Sequence, residues 1–92
     1  MRQDVRLPVL YGGMSEHDEA TIVHWYVQEQ DVIQPEGLLL RVETAPSLTD
    51  IPQPFSKTCR VLKLHKRAGD TLHIGDLLAT LEILENSTPN ET

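Results

Sequence analysis

The chain contains one segment twice. TIVHWYVQEQDVIQPEGLLLRVE (21–43) aligns with RVLKLHKRAGDTLHIGDLLATLE (60–82) at a constant offset of 39 residues. Asp31 falls on Asp70, Ile33 on Leu72, Leu38-Leu39 on Leu77-Leu78, Val42 on Leu81 and Glu43 on Glu82. Each copy reads as strand–turn–strand with one apolar face that it cannot cover alone. Pairing the copies buries both faces and predicts a pseudo-twofold domain. With 92 residues there is room for one such domain and no more. The midpoint between the copies, Pro46 to Pro54, predicts a projecting turn on one sheet.

The repeated unit is built of strands. Apolar residues come in short bursts: Val5 to Leu10, Thr21 to Val27, Leu38 to Val42, Arg60 to Leu64 and Leu77 to Leu81. Shorter candidates are Val32-Ile33, Leu48 to Ile51 and Leu72 to Ile74. Gly12-Gly13, Pro35-Glu36-Gly37, Ala45-Pro46-Ser47, Pro52-Gln53-Pro54, Gly69-Asp70 and Gly75-Asp76 separate them. Proline removes a ladder donor and glycine permits positive φ, so such residues punctuate strands. The expected architecture is all-β, a sandwich or flattened barrel of many short strands. Aromatic residues are 4% of the chain, so the core is aliphatic. Trp25 aligns with Leu64, and both are expected in that core, with Tyr26 facing outward. Residues 85–92 (ENSTPNET) are polar and read as a flexible tail or the start of a linker after a domain at 1–84.

Charge and cysteine usage narrow the function. Eight basic against fourteen acidic residues give −6. No basic cluster exceeds Lys66-Arg67, which argues against a phosphate-tracking nucleic-acid surface and against an anionic membrane. The N-terminus has no apolar stretch of signal or spanning length, so a cytoplasmic, reducing setting is expected. Cys59 is the one cysteine, which excludes an internal disulfide and a Cys-rich zinc site. His17, His24, His65 and His73 show no metal-ligand spacing and read as surface histidines. Asp31 and Asp70 are equivalent and follow turns, so they read as turn residues rather than an acid–base pair. No Ser-His-Asp spacing, phosphate loop or nucleophile–base pair points to an enzyme.

The motifs resemble a known family. MSEHDEATIVHWYVQEQD resembles the opening of lipoyl domains, LLLRVET the strand entering their modified hairpin, and DIPQP the strand leaving it. RVLKLHKRAGDTLHIGDLLATLE resembles the family's second half. The resemblance covers residues 5–84 and lies closest to the lipoyl domains of 2-oxo acid dehydrogenase acyltransferase components. It implies the biotinyl/lipoyl hammerhead fold: two four-stranded antiparallel sheets in a flattened barrel, with a carrier lysine at a hairpin tip. It also implies lipoate as cofactor, swung between active sites.

Here the sequence departs from the family. Glu43-Thr44 is followed by Ala45-Pro46, where the family has Asp-Lys. Proline has no amine for an amide to lipoate, so no cofactor is expected at Pro46. Proline also favours a bend re-centred on Pro46-Ser47. Glu16-His17-Asp18 lengthens the loop after Met14, Phe55 to Cys59 is longer than in the family, and Glu36-Gly37 inverts the usual Gly-Glu order. The resemblance then implies a non-lipoylated docking module for a 2-oxo acid dehydrogenase or acyltransferase-type component, monomeric like small members of this fold. Its expected surface is Glu43, Thr44, Ala45, Pro46, Ser47 and Asp50 with Glu16, Asp18 and Glu19. Two alternatives stand beside it. One is a carrier modified at Lys57 or Cys59; the other is the N-terminal domain of a longer dihydrolipoamide acyltransferase-like chain.

Overall fold

A computed structural model describes residues 1–45 and 47–84. The readings of Pro46 and of the tail 85–92 lie outside the described residues. Eight strands form: β1 (Arg2–Arg6), β2 (Ala20–Trp25), β3 (Val32–Ile33), β4 (Leu38–Glu43), β5 (Leu48–Pro52), β6 (Cys59–Leu64), β7 (Thr71–Leu72) and β8 (Leu77–Ile83). They make two four-stranded sheets, all pairings antiparallel. One, sheet A, has the order β1-β8-β6-β3; the other, sheet B, has the order β5-β4-β2-β7. The expected fold class is the observed one.

The offset of 39 maps β2, β3 and β4 onto β6, β7 and β8. Even the irregularities repeat. The β2–β4 ladder skips a residue between Ile22 and His24, and the β6–β8 ladder skips one at the equivalent place, between Val61 and Lys63. The turns repeat too. The Asp31 carboxylate accepts the Gln28 N–H at 2.8 Å, and the Asp70 carboxylate accepts the Arg67 N–H at 2.8 Å. Both aspartates therefore hold turns, as their equivalence implied.

Pairs of equivalent side chains fill the space between the sheets. Leu39, Leu40 and Val42 of β4 meet Leu78, Ala79 and Leu81 of β8, with Ile22 and Val61 beside them, all buried. Truncating one of these leucines to alanine costs about 2–5 kcal/mol, because the cavity adds to the lost transfer term. Trp25 and Leu64 are only partly buried against this core. The Trp25 indole lies at the rim so that Nε1–H can donate to the Lys66 carbonyl at 3.0 Å. β1 also starts earlier than its apolar burst: Arg2–Arg6 alternates out and in, and Pro8 follows the strand's end.

Candidate functional site

The hairpin joining β4 to β5 forms one end of sheet B. Glu43 lies opposite Leu48, and Arg41 opposite Asp50. Beyond Glu43, the Thr44 N–H donates to the Ser47 carbonyl at 2.8 Å, and the Thr44 hydroxyl donates to the same oxygen at 3.1 Å. Ser47 is thus the cross-strand partner of Thr44. Positions 45 and 46 lie between the bonded pair, and the expected re-centring on Pro46-Ser47 falls outside the described residues. Thr44 is buried by this closure. Its expected place on a partner-facing surface is corrected: its polar groups are spent on the turn. Glu43, Ala45 and Ser47 are exposed.

Asp50 is half-buried and paired within sheet B. Its Oδ1 accepts from Arg41 Nε at 2.8 Å and from the Tyr26 hydroxyl at 2.9 Å, while Oδ2 accepts from Arg41 Nη2 at 3.2 Å. This clamp ties β5, β4 and the residue following β2 together. The Arg41 hydrogen bond, then that from Tyr26, hold the Asp50 carboxyl below its ordinary value. The same contact with Asp50 raises Tyr26. Asp50 is therefore an internally paired anion at the hairpin's base, not a free acidic group.

The acidic loop reaches this end from the other side. It enters β2 at Ala20, and Thr21 lies opposite Glu43. The Asp18 carboxylate accepts the Ser15 N–H at 2.9 Å, closing the loop on itself. Burial, then the nearby Asp18 charge, push the Tyr11 phenol up. Glu16 is exposed with its Oε2 3.8 Å from His17 Nε2, and Glu19 is exposed with its Oε2 3.5 Å from His73 Nε2. Sequence separation hid the His73 contact; the pairing of Ala20 with Leu72 creates it. The loop carrying Glu16, Asp18 and Glu19 enters β2 at the end where Thr21 lies opposite Glu43. No lysine or arginine occurs between Leu7 and Leu40.

Lys57 and Cys59 lie elsewhere. β5 runs from the hairpin to Pro52, roughly 13 Å at about 3.4 Å per residue, before the loop that carries Lys57. Gln53, buried and missed in the sequence, organises that loop. Its Nε2 donates to the carbonyls of Lys57 (2.8 Å) and Gln34 (3.2 Å), and its Oε1 accepts the Phe55 N–H at 2.7 Å. The Cys59 side chain is 0% exposed, and burial pushes its thiol up. A buried, protonated thiol is a poor acyl acceptor, which corrects its candidacy as an attachment point. Among the described residues no group of three His, Cys, Asp or Glu side chains is arranged to hold a metal.

An apolar cleft of about 320 Å³ opens between the free edges of β1 and β5, lined mainly by Val5, Pro8, Ile51, Pro52, Pro54 and Phe55. Among the described residues no helix is long and apolar enough to cross a membrane.

No protein-family model matches the chain. It is similar to the dihydrolipoyllysine-residue acetyltransferase component of pyruvate dehydrogenase complex from Staphylococcus aureus strain Mu50, 28% identical over 82 residues. The same component from strain COL matches at the same identity and length. The match covers 89% of this chain but only 18% of either relative. Fold, internal repeat and this similarity together support a lipoyl-domain-like module.

Proposed function

We propose that this chain is a docking module of lipoyl-domain type that carries no lipoyl group. It engages a protein component of a 2-oxo acid dehydrogenase or acyltransferase-type assembly, as a monomer in the cytoplasm, and does no chemistry of its own. One observation carries the reading. The connection between the bonded residues Thr44 and Ser47 consists of Ala45 and Pro46, and neither side chain has an amine to acylate. Thr44 is bonded to Ser47 at that end, with an exposed carboxylate at Glu43 beside them and others at Glu16 and Glu19 in the loop that enters β2. A rigid anionic surface of this kind supports specific association through complementary charge, with little rearrangement. The short share of the relatives' length that is matched supports a further reading, that such a module belongs to a longer acyltransferase-like protein.

The test is the affinity of the purified chain for the dehydrogenase component of a pyruvate dehydrogenase complex. Reversing Glu16, Glu19 and Glu43 together to lysine weakens binding at least about tenfold if the carboxylates meet cations on the partner. Unchanged affinity of that triple variant, or no association of the parent chain, overturns the reading.

A further inference from the structure

The two outward sheet faces provide an internal control, because every position on one has an equivalent on the other. Arg2 and Leu48 are equivalent, since they lie opposite the equivalent residues Glu82 and Glu43. By the offset of 39, Arg60 answers to Thr21 and Lys63 to His24. Three cations on the face of sheet A are thus replaced on sheet B by an aliphatic, a hydroxyl and an imidazole side chain. The apolar exposure is reversed. Sheet B leaves Leu48 55% and Val23 45% exposed, with Leu38 and Tyr26 also open, whereas the strands of sheet A expose only Val32, at their outer edge, among large apolar side chains described.

The charge that remains on sheet B is muted at its centre. Arg41, its one cation, is held by Asp50, and the Tyr26 hydroxyl closes on the same carboxylate. Sheet A has an equivalent trio of different character: Thr80 donates to Asp4 at 2.9 Å and lies 2.8 Å from His65 Nε2. Exposed carboxylates border sheet B at the hairpin end, through Glu43 and through Glu19 of the loop that enters β2. Residues 7–54 carry one basic and eight acidic side chains, a net of −7, and the remaining residues seven basic and six acidic, a net of +1.

We infer that the outward face of sheet B, and not the hairpin tip alone, is a contact surface for a protein that presents an apolar patch bordered by lysine or arginine. Leu48 on the edge strand β5, with Val23 and Tyr26, supplies the apolar contacts, and an internally paired Arg41–Asp50 beside them brings no unpaired charge to be stripped of water. Glu43 and the acidic loop supply the rim that selects cations. The inference rests on the docking reading only for the identity of the partner.

The probe is a Lys/Leu amphipathic peptide titrated into the full ¹⁵N-labelled chain, with a Lys/Ser peptide of equal charge as control. The Lys/Leu peptide shifts the amides of Val23, His24, Tyr26 and Leu48, and the Lys/Ser peptide binds at least about tenfold more weakly. Leu48→Lys, alone or with Val23→Lys, weakens the Lys/Leu peptide by about tenfold, while Arg2→Ala with Lys63→Ala changes it less than about twofold. Each variant's amide dispersion reports that it is folded. Shifts on sheet A, shifts on both faces, equal binding of the two peptides or no binding all overturn the inference. Failure of the dehydrogenase component to bind, with the peptide still mapped to sheet B, overturns the docking reading and leaves this one standing.

Discussion

Glu36 shows how the two copies solve one turn with different residues. It has φ of 68°, and its equivalent in the second copy, Gly75, has φ of 90°. A left-handed conformation costs a residue with a Cβ about 1–2 kcal/mol, and glycine avoids that cost. The adjacent Gly37 is needed for a different reason: a Cβ there would overlap the Ile33 Cγ2 methyl. The inverted Glu-Gly order thus favours close packing over the left-handed position. Urea unfolding is expected to show Glu36→Gly stabilising by about 0.5–1 kcal/mol and Gly37→Ala destabilising by about 1–3 kcal/mol. Asp50 gives a pH prediction. Its folded carboxyl is depressed, so the stability from its clamp is complete above the ordinary value of 3.8 and drains away as pH falls through the lower folded value. Asp50→Asn is expected to flatten that acid limb of a stability–pH curve; an unchanged limb contradicts the clamp. The turn roles of Asp31 and Asp70 were legible because the repeat set them side by side. That of Asp50 was not, since Arg41 and Tyr26 reach it only through strand register.

At the scale of elements, most strands stand where the bursts and punctuation put them, within a residue or two. Strand edges slip where burial ends before hydrogen bonding does: β8 continues to Ile83 because Cys59 pairs with it, and β1 runs ahead of its apolar burst because β8 supplies a ladder for Arg2 and Gln3. The break between β4 and β5 was legible from Ala45-Pro46-Ser47, but of the span Pro46 to Pro54 expected as a projecting turn, Leu48–Pro52 is strand β5. Thr44, by donating twice to Ser47, ties together the residues on either side of positions 45 and 46. Replacing Ala45-Pro46 by Asp-Lys therefore keeps the closure and presents an amine. This variant is expected to be lipoylated by a lipoate ligase, and a variant that folds yet stays unmodified would show that the scaffold itself has lost recognition. Gln53 pins the neighbouring loop, and nothing in the sequence PQP announced it. Gln53→Ala leaves two carbonyls and an N–H without that partner and is expected to cost about 1–3 kcal/mol in urea unfolding.

For the whole molecule, the offset of 39 generates the sandwich, and the departures from it set the functional reading. Some shared positions are buried, such as Ile22 with Val61 and Leu39 with Leu78, and speak of packing, while Asp31 with Asp70 holds exposed turns. Among the differing positions, Arg2, Arg60 and Lys63 of sheet A stand where sheet B has Leu48, Thr21 and His24. Cys59 belongs to the first class. Its thiol is expected to resist a disulfide reagent in the native chain and to react on unfolding, whereas rapid native reaction would contradict its burial.

The central claim is that the hairpin end meets a partner without a tethered cofactor. Intact-mass measurement after co-expression with a lipoate ligase and lipoate tests it directly, with the Asp-Lys variant at positions 45 and 46 as the control for ligase activity. The account predicts an unmodified parent chain beside a variant heavier by one lipoyl group. A parent chain that gains that mass, whether at Lys57 or at any other residue, would contradict it.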